Sequence, residues 1–105
     1  MKNFEHKIIL ELLKHSLNDI SKFSENSHED EIYFSGTGYY LTFKNIDFPK
    51  QRVVLRTPNI SGKLGGIEVG FLVIIQDNEL TLECHSYDGE ITEKNRDNGF
   101  ERTKT

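Results

Sequence analysis

The stretch IEVGFLVIIQDNELTLECHSY, residues 67–87, decides the fold. It reads as a β-hairpin turning at Asp77-Asn78. A two-residue turn there sets Gln76 opposite Glu79, and counting outward pairs Ile75 with Leu80, Val73 with Leu82 and Phe71 with Cys84. All three of those pairs are apolar. Side chains alternate along a strand, so Gly70, Leu72 and Ile74 fall on the other face, opposite His85, Glu83 and Thr81. One face is core and the other is mixed.

A helix to cover the core face stands at the start of the chain. Over residues 3–24, Phe4, Ile8, Ile9, Leu12, Leu13, Leu17 and Ile20 recur at the spacing of one helical stripe, and Asn3 is placed to cap the N-terminus with Glu5 favourable to the helix dipole. The largest surface available to that stripe is the odd-numbered face of residues 67–75, and each Leu or Ile buried there contributes ~1.5–3 kcal/mol. Residues 24–31, SENSHEDE, read as a solvated loop that includes His28.

From Ile32 the period becomes two. Ile32 and Phe34 alternate with Tyr33 and Ser35, and beyond Gly36-Thr37-Gly38 the residues Tyr39, Leu41 and Phe43 alternate with Tyr40, Thr42 and Lys44, giving two strands about a glycine turn. The turn lacks the Lys-Ser/Thr pair of a phosphate loop. Pro49 excludes a central strand at residues 45–51, residues 52–57 read as a third strand, and residues 58–66, PNISGKLGG, read as a mobile loop. Asp88-Gly89 signals another turn. The segment 92–105 is polar and is expected to be partly disordered. The sum is a single α+β domain over residues 1–105: one N-terminal amphipathic helix on a curved antiparallel sheet of about five strands, the sheet spanning residues 31–87.

Composition narrows function. Seventeen acidic against thirteen basic residues give a formal charge of −4, which disfavours nucleic acid and suits a basic partner. The single cysteine, Cys84, falls on the core face and reads as a small hydrophobe in a reducing, cytoplasmic setting. The longest apolar run, residues 71–75, is far short of the ~20 residues of a membrane span, and the N-terminus does not read as an export signal.

The residues with most to offer lie on the outer face of the hairpin. Glu83 and His85 are two apart on one strand, and Glu68 comes near Tyr87. A Glu–His pair can serve acid–base chemistry or supply two metal ligands, but such pairs are also ordinary on exposed sheets. No metal or cofactor is expected. Leu72 and Ile74, ringed by Thr81, Glu83, His85 and Tyr87, have the composition of an interaction surface unless the 58–66 loop or the C-terminal segment covers them, and Tyr33, Tyr40 and Tyr87 would add aromatic anchors.

The order of an ILELLK helix, the GTGYYLTF strand opening, ISG…GGIEVGFLVII and ELTLECHSYDGE resembles small bacterial immunity-type proteins encoded beside polymorphic toxins, including those of contact-dependent growth inhibition systems. The likeness lies in a Gly-x-Gly-aromatic strand (Gly36 to Tyr40), a Gly-rich loop, an apolar strand and an L-E-x-x-S/T-Y-x-x-E segment (Leu82, Glu83, Ser86, Tyr87, Glu90). It implies a cytoplasmic, non-enzymatic inhibitor of a cognate toxin domain, often a nuclease with a basic cleft. The expected contact set is Glu68, Leu72, Glu83, His85, Tyr87, Asp88 and Glu90, on a monomer or weak dimer. Two alternatives stay open: a homodimeric structural or accessory subunit, and a small hydrolase or metal-binding domain centred on Glu83 and His85.

Overall fold

The computed structural model describes residues 1–14, 28–45 and 48–103. Its elements in chain order are α1 (Asn3–Lys14), β1 (Glu31–Phe34), β2 (Gly38–Lys44), β3 (Val53–Leu64), β4 (Ile67–Gln76), β5 (Glu79–Ser86), α2 (Glu93–Asn98) and β6 (Phe100–Arg102). The strands form one curled antiparallel sheet in the order β1-β2-β5-β4-β3-β6. The fold is α+β as expected, with six strands in place of about five.

The central hairpin has the register that its pattern predicts. Phe71 faces Cys84, Val73 faces Leu82, Ile75 faces Leu80, and on the other side Leu72 faces Glu83 and Gly70 faces His85. Asp77 and Asn78 take φ of 54° and 64°, the two positive values of a type I′ turn, whose twist matches that of the flanking strands. The turn is held from outside as well. The β2–β3 connection accepts the Asp77 and Asn78 amides at the carbonyls of Lys50 and Pro49, and the Asn78 side chain donates to the Phe48 carbonyl.

The core lies between the inner face of the sheet and α1. Ile8, Ile9, Leu12 and Leu13 of the helix are buried against a cluster that includes Leu41, Leu55, Val69, Val73 and Leu82. The helix stripe predicted from the sequence runs further, through Leu17 and Ile20, but residues 15–27 lie outside the described residues, and with them the first half of the 24–31 loop. The helix cap differs from expectation. Lys2 occupies the capping position: its carbonyl accepts the first helical bond from His6, its own amide donates to the Glu5 carboxylate at 2.7 Å, and Asn3 is already helical.

Two segments expected as loop and tail contribute strands to the sheet. Residues 58–64 continue β3, pairing as Ile60 with Phe71 and Leu64 with Ile67, so that only Gly65-Gly66 form the turn. The strand accommodates Pro58 within an irregularity between Leu55 and Ile60, where pairing with β4 lapses and the period of two is lost. The expectation of a partly disordered tail is corrected for residues 92–103. Gly62 lets β6 approach β3 closely, since a Cβ there would collide with the Glu101 carbonyl. Phe100 then meets Phe71 edge-on at 5.0 Å and Phe4 at 5.9 Å. Ile91 is buried, and Arg96 is held by a carboxylate inside the fold.

Candidate interaction surface

The parity of β5 divides its side chains between two environments. Leu80, Leu82 and Cys84 enter the core, while Thr81, Glu83 and His85 emerge on the outer face at intermediate exposure. Strand pairing extends that face sideways. Glu83 stands between Tyr40 of β2 and Leu72 of β4, Thr81 stands between Thr42 and Ile74, and Tyr33 of β1 stands beside Tyr40. Both helices lie on the opposite side, where α1 packs into the core and α2 delivers Arg96 to it, so among the described residues neither helix covers the outer face. The 58–66 segment and β6 do not cover it either, because they lie in the plane of the sheet as strands.

Three contacts shape this face. Tyr33, 59% exposed, stacks on Tyr40 with ring centroids 6.2 Å apart and planes inclined by 28°. Burial first, and then the charge of Glu83 and its hydrogen bond with the Tyr40 hydroxyl, push the Tyr40 pKa above its ordinary value of 10.0. His85 lies between two glycines, Gly38 and Gly70, and its ring meets Tyr87 edge-on at 5.3 Å. Gly70 leaves room for this packing, because a Cβ at that position would lie 2.8 Å from His85 Nε2 and would also meet the Tyr87 hydroxyl, so that both side chains would have to shift.

Of the seven residues expected to form a contact surface, the structure brings five together. Leu72, Glu83 and His85 are register neighbours on the outer face, Tyr87 packs on His85, and the Tyr87 amide donates to the Glu68 carbonyl. Asp88 and Glu90 are exposed on the segment that leaves β5, beside the Gly36 turn, where the Ile91 amide donates to the Gly36 carbonyl. They flank the face and are not part of its strands.

Family models, curated proteins and solved structures yield no match to this chain.

Glu83 is engaged by Tyr40 and His85 by Tyr87, and among the described residues no three His, Cys, Asp or Glu side chains gather in a way that could hold a metal ion. Clefts of about 370 Å³ at Lys44, Asn45 and Asp77–Glu79, and about 290 Å³ at Lys63, Gly65, Gly66 and Asn98–Glu101, lie at opposite ends of the sheet, away from Glu83 and His85. Burial pushes the Cys84 thiol far above its ordinary pKa, which leaves it a poor nucleophile. No helix among the described residues is long and apolar enough to cross a membrane.

The polar centre that the sequence reading missed is on the inner side. Glu5 is fully buried, and its carboxylate accepts four hydrogen bonds: from the Lys2 amide, from the Tyr39 hydroxyl at 2.7 Å, and from Arg96 Nε and Nη2 at 2.7 and 2.9 Å. The Arg96 guanidinium also lies over the Tyr39 ring, 5.7 Å from its centroid. The hydrogen bond to Glu5 raises the pKa of Arg96, and burial followed by the Glu5 charge raises that of Tyr39, so the guanidinium stays charged and the phenol protonated. A signal was present: Glu5 stands three, four and seven residues before Ile8, Ile9 and Leu12, on the apolar stripe itself, where a carboxylate requires a partner.

Proposed function

We propose that this chain is an immunity-type protein that binds a cognate toxin domain, the reading implied by the resemblance of its strand and turn motifs. The observation that carries a binding role is the contrast between the two faces of one sheet. The inner face is saturated by α1, α2 and the core, while the outer face holds stacked tyrosines, half-buried Leu72 and Ile74, and Glu83 and Glu68 with no helix of the described residues above them. Aromatic and aliphatic anchors within a polar surround are the makings of a protein interface. The edges at β1 and β6 are poorer candidates, since β1 has four residues and β6 three, and short edge strands discourage pairing with another chain; among the described residues no strand pairs with the outer side of residues 53–60 of β3. The negative balance of the chain suits a basic partner such as a nuclease domain, through faster encounter and charge matching. Neutralisation would take place in the cytoplasm, by occlusion and without chemistry on the toxin.

The test is co-expression with the C-terminal domain of the protein encoded immediately upstream, which on this reading is a large secreted toxin. Rescue of growth and co-purification as a stable complex are expected. A toxin domain that kills regardless and elutes separately would remove this reading.

A further inference from the structure

The two faces of β2 carry the same pair of chemical groups, complete on one side and incomplete on the other. On the inner face Tyr39 donates to the Glu5 carboxylate, and Arg96 completes the unit by pairing with that carboxylate while lying over the tyrosine ring. On the outer face the next residue, Tyr40, stands opposite Glu83 in register, close enough for that carboxylate to raise its pKa, and among the described residues no arginine pairs with the carboxylate. None of the ion pairs among the described residues involves Glu83. Of the cations of this face, Lys44 pairs with Glu79 at 4.0 Å, Lys63 stands between Glu68 and Glu101 in register, and Arg52 donates to Gln76, while Arg56, exposed beyond inward-facing Leu55 on β3, stands two strands away from Glu83. Glu83 and Glu31, by contrast, stand opposite the uncharged Tyr40, Leu72 and Thr42.

We infer that the Tyr33–Tyr40–Glu83 notch receives an arginine side chain from the surface of a basic protein partner. This rests on the binding role proposed above and specifies its anchor. The planar guanidinium suits the site for two reasons. It can lie over the Tyr40 ring, as Arg96 lies over that of Tyr39, while its N–H groups reach the Glu83 carboxylate, and it is more weakly hydrated than an ammonium, so burial beside Leu72 is less costly. A lysine would supply charge without the planar stack. Tyr33 enters the notch ready-ordered by its contact with Tyr40, which limits the entropy lost on binding.

Two measurements on the full chain separate this inference from the toxin reading. In the first, N-acetyl-arginine amide is titrated while backbone and tyrosine-ring resonances are followed by NMR. Saturable shifts confined to Tyr33, Tyr40, Glu83 and Leu72 are expected, absent with the neutral citrulline analogue and lost in Glu83→Gln. In the second, the upstream toxin domain is titrated against wild type, Glu83→Gln and Tyr33→Ala. Each substitution should weaken binding roughly tenfold, while Leu82 and Val73 resonances confirm an unchanged core. Localised arginine shifts with no toxin binding would uphold the notch and discard the toxin partner. Tight toxin binding indifferent to both substitutions, or arginine shifts absent or equal to those of citrulline, would overturn the notch.

Discussion

At the scale of single residues, Glu5 is the least replaceable side chain of the fold. A fully buried carboxylate is tolerated only because Arg96, Tyr39 and the Lys2 amide satisfy it together. Removing one member leaves a charge without its counter-ion in a dry interior, so Arg96→Met should destabilise the protein by about 3–5 kcal/mol in urea denaturation. The double change Glu5→Leu with Arg96→Met removes both charges and should recover much of that loss, the sign expected for a paired rather than a packing role. Glu29 extends the cluster outward, with the Met1 amino group 2.8 Å away and Arg96 at 3.5 Å. Burial would raise its pKa, but the hydrogen bond from that amine, a backbone hydrogen bond and the two positive charges outweigh it and hold it below the ordinary 4.5. A pKa depressed by folding stabilises above the unfolded value and ceases to do so as pH falls through the folded value. The stability gap between wild type and Glu29→Gln should therefore be full at about pH 6, narrow below about pH 4.5, and close in acid, as read from urea midpoints across that range.

At the scale of elements, the central hairpin depends on its turn. Asn78 has a φ of 64° and donates its side-chain amide to the Phe48 carbonyl, so Asn78→Ala both forces a Cβ-bearing residue without local hydrogen bonding into the left-handed region and removes that bond. The two costs, about 1–2 and about 1 kcal/mol, predict a loss of roughly 2–3 kcal/mol, whereas Asp77→Asn should be neutral or slightly stabilising in the same melt. The hairpin was legible in the sequence because three consecutive apolar pairs admit only one register, and that same counting placed Leu72, Glu83, His85 and Tyr87 on one surface. β3 was legible only as far as Pro58, since a strand that passes through a proline by suspending its pairing leaves no period to follow. α2 and β6 were illegible for a different reason. Their order derives from Ile91, Arg96 and Phe100, each meeting residues distant in sequence, and a polar segment with three such anchors has the composition of a tail. Gly70 was visible as a residue but not as the space it leaves, because that space is filled by His85 and Tyr87 across the strand pair.

At the scale of the whole molecule, the C-terminal segment closes a structure whose other surface is left for binding. Residues 91–103 supply Ile91 to the core, Arg96 to Glu5, Phe100 to the cluster with Phe4 and Phe71, and Arg102 to Glu11 at 2.6 Å. A chain ending at Glu90 would thus lose the counter-ion of a buried carboxylate, at about 3–5 kcal/mol, together with two large apolar groups at about 2–5 kcal/mol each. Their sum is comparable with the ~5–15 kcal/mol total stability of a domain. The truncated chain is expected to lack a cooperative thermal transition and to show collapsed amide dispersion. Its outer face should fail with it, because Leu72, Glu83 and His85 owe their positions to strands whose alternate residues, Phe71, Val73, Leu82 and Cys84, are fixed by the same core. Retention of a sharp melt and of the native hairpin shifts by the truncated chain would show that the first ninety residues fold alone, and that the buried Glu5 finds its partner elsewhere.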